Sequence, residues 1–289
     1  MTASGILPDH RLKTLFETGV IASDAPPAEG QIQPASVDLR LGSQAWRLRA
    51  SFLPGPGRTV TDRLDEDVLM HTVDLTGGAV LETGCVYLAP LQERLKLPPG
   101  LSAAMNPKSS TGRIDVFTRV ITDHGVAFDQ APPDYDGPLY AEISPCTFSI
   151  LAHTGDRLSQ IRFREGAHVP LRDVTVSVDL AGFENGIVGY RARRHAGLVD
   201  LSKIGGHDSA RFWEPMYAPD RRLILDPGEF YILASREAVS VGAGEAAEMA
   251  PIATEIGEFR AHYAGFFDPG FGIADAGGTG SRAVLEVRG

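Results

Sequence analysis

The chain repeats itself, and that limits what it can fold into more than any other feature. At a constant offset of 144 residues, Leu81 matches Leu225, Gly84 matches Gly228, Tyr87 matches Tyr231, Glu93 matches Glu237 and Gly100 matches Gly244. The register continues through Met105 and Met249, Pro107 and Pro251, and Glu142 and Glu286. Chance identity at one offset is expected at about one position in sixteen, so this clustering predicts two tandem copies of one fold. Upstream, Val37-Asp38-Leu39 returns as Val199-Asp200-Leu201 at a different offset, as loop insertions would produce. A length of 289 residues fits two units better than one. The expected division is 1–175 and 176–289.

The repeated unit is predicted to be mainly β. Short apolar segments are punctuated by 32 glycines and 20 prolines, which favours many strands joined by tight turns. One short helix is expected near the start, with Asp9 as N-cap, Leu12, Leu15 and Phe16 on one face, and Gly19 at its end. After it, Gln33 to Arg49 reads as strand.

The stretch Asn106 to Pro145 carries the chemistry. Lys108, Ser109, Ser110 and Arg113 form a compact cluster after Pro107, with the serines as N-cap types and the cations available to neutralise an anion at a helix start. A solvated turn with a capping serine is the plainer reading of the same residues. Further on, Glu142 lies in an alternating strand between Ala141 and Ile143. A carboxylate among such neighbours can take up and return a proton near neutral pH.

Composition sets outer bounds. A formal net charge of −10 argues against a nucleic-acid polymer or an anionic membrane as partner, whereas one nucleotide needs only a few local cations. The hydrophobic content of 43% is ample for packed cores. No apolar run is long enough to span a bilayer, and the opening residues lack a signal-peptide core, so a cytoplasmic location is expected. Cys85 and Cys146 are expected to be reduced core thiols in strands. The zinc-deaminase strings H-x-E and P-C-x-x-C do not occur, and the eight histidines show no ligand spacing, so zinc is not expected.

The order of segments resembles the dCTP deaminase branch of the dUTPase superfamily. The resemblance rests on Val37-Asp38-Leu39-Arg40-Leu41-Gly42, the Lys108-Ser109-Ser110-x-x-Arg113 cluster, Leu139-Tyr140-Ala141-Glu142 and the strand from Gly155 to Phe163, and it covers roughly Gly5 to Arg164. It implies two dUTPase-like distorted β-barrel or jelly-roll units. It also implies hydrolytic deamination of dCTP to dUTP and ammonia, without metal at the scissile carbon. Glu142 would shuttle protons from a water held by Ser109 and the carbonyls near Thr122 and Asp123, with Arg113 orienting it. Lys108 and Ser110 would hold a triphosphate bridged by Mg²⁺, helped by the basic run Tyr190 to His195 if that run is not simply a solvated connector. A homo-oligomer, a trimer by preference, would be the working form.

Departures from the family pattern keep other readings open. Lys108 stands where the family has arginine, and Asp129 to Gly137 replaces the family's compact Asp-Pro-Gly-Trp loop. A dUTP diphosphatase would use Asp129 to activate water, a bifunctional enzyme would do both reactions, and a non-catalytic nucleotide-binding regulator would do neither. The copies are also unequal. The second has Ile252-Ala253-Thr254 and Gly257 in place of the cluster, yet keeps Phe267-Asp268-Pro269-Gly270-Phe271. It is expected to be a structural partner with a silent Glu286; the alternative is a composite site to which it lends Asp268. Only Val287-Arg288-Gly289 follow Glu286, which suggests that its last strands come from beyond the given chain.

Overall fold

The computed structural model describes residues 4–64, 67–166, 171–183, 185–250, 260–261, 265–273 and 279–289. Ile252 to Thr254, Gly257, His168 and His262 lie outside them. Strands dominate, and the offset seen in the sequence reappears as pairing register. In the first half one sheet runs in the order Leu69–Asp74, Gln44–Leu48, Val86–Lys96, Asp136–Pro145, Val116–Thr122. In the second half a sheet runs Trp213–Tyr217, Ile187–Ala192, Phe230–Val239, Ser281–Arg288, Arg260–Ala261. Glu142 pairs with Leu88 and Glu286 with Ile232, so both partners also differ by 144. Each copy closes the preceding turn in the same way: the Tyr87 hydroxyl accepts from the Glu82 N–H at 3.1 Å, and the Tyr231 hydroxyl from the Asp226 N–H at 2.8 Å.

Alternation decides which residues form each core. Leu139, Ala141 and Ile143 point into the large first core, while Leu285 and Val287 join Tyr231, Leu233 and Ala283 in the second. Glu142 and Glu286, one residue out of phase, occupy the other face of their strands, which Glu142 shares with Tyr140 of a smaller buried cluster that also contains its cross-strand partner Leu88.

The two halves of the chain are packed together. Ile150–Ala152 pairs antiparallel with Ala79–Leu81 and parallel with Val199–Asp200, so one small sheet has strands from both halves. Phe148 meets Phe212 and Trp213 edge-on, each at 5.5 Å between ring centroids.

Several local expectations shift. The first helix is Asp9–Glu17, but its N-cap is Pro8, because the chain enters extended and Asp9 already lies in the first turn. Gln33 to Arg49 is not one strand: Val37–Arg40 and Gln44–Leu48 belong to different sheets. Gly42 lies between them, where its N–H donates to the Pro90 carbonyl at 2.8 Å and a β-carbon would lie 2.8 Å from that oxygen. The cysteines are free but not core residues. Cys85 is half-buried before its strand and Cys146 is exposed after Pro145.

Candidate active site

The Lys108 cluster sits where one strand of the first unit gives way to a single helical turn. Leu101–Pro107 ends at the proline, Ser109–Gly112 forms the turn, and Lys108, in extended conformation, is its N-cap in place of either serine. The Lys108 N–H donates to the Leu158 carbonyl at 2.9 Å and the Thr111 hydroxyl to the same oxygen at 2.8 Å. Thr111 and Gly112 are buried, whereas Ser110 and Arg113 are open to solvent. The turn thus holds a hydroxyl and a guanidinium at the surface on a fixed base.

Glu142 does not complete this cluster. The strand register places it opposite Arg119, three residues, or about 10 Å, beyond Val116. Arg119 ion-pairs with it, Nη2 lying 2.6 Å and Nε 3.2 Å from Glu142 Oε1, and the guanidinium lies over the Phe128 ring at 3.6 Å. Arg119, not Arg113, is therefore the cation that orients Glu142, a correction to the expectation above. The sequence had offered no signal for it, since a cross-strand partner emerges only once register is known. Its other oxygen, Oε2, is buried without a hydrogen-bond partner. Asp129 lies nearby, accepting from the Val120 N–H at 2.7 Å, and burial pushes its carboxyl up to about 7. Thr122 is buried, and Asp123 accepts from the Val60 N–H at 2.7 Å at the same far end of the strand. The candidate residues thus fall into two groups at opposite ends of Val116–Thr122.

The second copy supplies what faces the cluster. Glu286 is 1% exposed, and its Oε1 has no hydrogen-bond partner. Burial pushes its carboxyl from an ordinary 4.5 up to about 7, opposed by a hydrogen bond from its own backbone and by the charge of Arg113. The absence of a cluster in its own copy had made Glu286 look idle. The charge that acts on it is that of Arg113 in the first half, a proximity that no sequence spacing reveals. Elsewhere in the second half, Asp268 pairs with the buried Arg162 of the first at 3.4 Å, and Arg162 lies over Phe266 at 3.8 Å. Burial raises the Asp268 carboxyl, Arg162 works against the rise, and nearby Asp38 adds to it.

Two proposed anion contacts are already engaged. Lys108 pairs with the buried Asp38, which Arg157 also approaches at 3.6 Å. In the basic run, Arg191 bonds Glu214 at 2.6 Å and Arg194 pairs with Glu229, so these arginines brace the second unit instead of projecting toward a ligand. Among the described residues, no three His, Cys, Asp or Glu side chains gather as a metal site.

Comparison with known proteins agrees along the whole chain. Residues 3–167 match the 2′-deoxycytidine 5′-triphosphate deaminase (DCD) N-terminal domain, and residues 152–289 match the C-terminal domain of the same name. A dCTP deaminase of Halorubrum lacusprofundi is 31% identical over 155 residues, covering 53% of this chain and 73% of that protein. A dUMP-forming dCTP deaminase of Methanosphaera stadtmanae is 30% identical over 159 residues, covering 55% and 78%. The crystal structure of a 2′-deoxycytidine 5′-triphosphate deaminase from Agrobacterium tumefaciens is 54% identical, with a TM-score of 0.93 over 99% of this chain and 91% of its own. With both halves matched in order, the chain belongs to the dCTP deaminase family.

Proposed function

We propose that the protein hydrolyses dCTP to dUTP and ammonia at a site built from both copies. The observation that carries this is Glu286: buried, with a free carboxylate oxygen, poised near neutrality, and under the charge of Arg113 from the other half. Such a carboxyl exists in both protonation states at working pH, as a general base that later acts as a general acid must. In this reading Glu286 takes a proton from a water held beside the Ser109 hydroxyl, and the hydroxide adds to C4 of cytosine. The proton goes to N3, and a second transfer lets ammonia leave. Arg113 keeps the charged form of Glu286 accessible and sets its direction. Glu142, fixed by Arg119, has a structural role, with Asp129 near it and Thr122 and Asp123 farther along, toward the end of the neighbouring strand.

Ser110 and Arg113, being exposed, are the first contacts for the triphosphate, with Lys108 available if it exchanges Asp38 for phosphate. Mg²⁺ would come with the triphosphate and supply charge neutralisation there, beside Ser110 and Arg113. The matching strand order supports reading the chain as two tandem dUTPase-like units divided near residue 175, and chains of this kind are proposed to assemble as homo-oligomers. Incubation with dCTP and Mg²⁺ tests the activity. Ammonia with dUTP is expected; dUMP with pyrophosphate would make the enzyme bifunctional, as the dUMP-forming relatives are named, and no product would leave a nucleotide-binding regulator.

A further inference from the structure

Two residues beyond Glu286 on the same strand, Arg288 makes the contact that ties the second copy to the catalytic turn. Its Nη2 pairs with Asp115 and lies 3.3 Å from the Thr147 hydroxyl, which itself donates to Asp115 at 2.5 Å. Its Nη1 donates to the Gly228 carbonyl at 3.1 Å. Asp115 is fully buried and ends the turn that carries Ser109 and Arg113: its N–H donates to the Gly112 carbonyl at 2.9 Å, and its φ of 54° reverses the chain into the next strand. Its own carbonyl accepts from the Cys146 N–H at 2.9 Å, which anchors it to the end of the Glu142 strand.

The pattern across the contact is reciprocal. Strand period places Glu286 and Arg288 on one face, about 7 Å apart. Arg113 and Asp115 oppose them from the other copy with the signs exchanged, so the Arg113 charge acts on Glu286 while Asp115 holds Arg288. The two pairs have different tasks. One partner in the first pair must stay free to exchange protons, and its Oε1 is unbonded. The second pair has no such freedom, since one guanidinium is held by a carboxylate, a hydroxyl and a backbone carbonyl drawn from three separate segments.

We infer that the Asp115–Arg288 pair is a positioning device for the deamination: it locks the strand that carries Glu286, two residues from Arg288, against the turn that carries Ser109 and Arg113. The inference rests on the composite site proposed above. Neither residue touches the reacting atoms. Their effect is on where Glu286 sits, and a displacement of about 1 Å in a reacting group can cost about 10²-fold in rate.

The test is a kinetic comparison on the full chain with dCTP and Mg²⁺. Asp115→Asn keeps the shape, the left-handed preference and the acceptor for Thr147 but removes the charge, and Arg288→Gln removes the other half. Each is expected to lower kcat by about 10–10²-fold with KM within about threefold, the double variant being no worse than Arg288→Gln alone, and Arg288→Lys recovering part of the loss. Arg282→Gln is the control. It breaks a pair with Asp179 on the same strand, four residues from Glu286 and away from the turn, and should leave kcat unchanged. Should Arg288→Gln fail to fold, Asp115→Asn and Arg288→Lys still measure the effect. Wild-type kcat in these variants alongside an inactive Glu286→Gln would overturn the positioning role alone. An active Glu286→Gln would overturn the composite site itself. Equal losses in Arg282→Gln would reduce the pair to general stability and refute the inference.

Discussion

Replacing Glu286 with glutamine should make the protein more stable while disabling it, and the gain should grow with pH. In the folded chain the carboxyl titrates at about 7 instead of its ordinary 4.5, chiefly because it is buried. Between those values the folded protein keeps a proton that the unfolded chain releases, so stability is fully present below the lower value and falls as pH rises to the upper one. At about 1.4 kcal/mol per pH unit, the penalty approaches about 3 kcal/mol above pH 7. Arg113 is already included, since its attraction helps set the value at about 7. Glutamine keeps the volume and cannot ionise. Its advantage over the natural residue is therefore about 1 kcal/mol at pH 5.5 and about 3 kcal/mol at pH 8.5. For a chain of this size the difference in Tm between the two proteins should widen by about 5 °C over that range, read by calorimetry or circular dichroism. A pH-independent difference, or one that shrinks on going alkaline, would refute the claim that Glu286 is held in a site that resists its charge.

Other perturbations follow from the same contacts. Arg119→Gln strands the Glu142 carboxylate, 1% exposed, without its counter-ion, and should cost about 3 kcal/mol of stability in a urea titration at neutral pH. Gly42→Ala places a β-carbon 2.8 Å from the Pro90 carbonyl oxygen and should destabilise by about 1–3 kcal/mol, seen as a lower urea midpoint. Chelation of Mg²⁺ should weaken dCTP binding in calorimetric titrations, and Mg²⁺ but not Zn²⁺ should restore it.

What the sequence disclosed and what it hid divide along physical lines. The mainly β character was legible, and the 144-residue offset recurs in the pairing of Glu142 with Leu88 and of Glu286 with Ile232, because strand length and turn spacing are local properties. The short turn at Ser109 to Gly112 was legible because turn chemistry is encoded within a few residues, although its N-cap is Lys108 and not a serine. Glu142 drew attention for the same reason: an acid in an apolar strand is a visible anomaly. Its pairing with Arg119 depends on cross-strand register, however, and so was not visible. The influence of the Arg113 charge on Glu286 was hidden more deeply, since the two residues are 173 positions apart and are brought near by packing between the halves. The retained Asp268-Pro269-Gly270 stretch was the one local clue that the second copy still had work to do, and it does lie against the first through Arg162. For the basic run after Tyr190 the sequence left a phosphate contact and a solvated connector both open, and charge density alone does not disclose that Arg191 pairs with Glu214 and Arg194 with Glu229.

The division of labour between the two glutamates is tested most directly by the single-turnover rate of Glu286→Gln beside that of Glu142→Gln, each at saturating dCTP and pH 7.5. The account predicts a loss of about 10²–10⁴-fold for Glu286→Gln, the range for a missing acid–base group, and a rate within about threefold of the natural enzyme for Glu142→Gln. The opposite ranking, with Glu286→Gln active and Glu142→Gln dead, would contradict it and return the proton shuttle to the first copy.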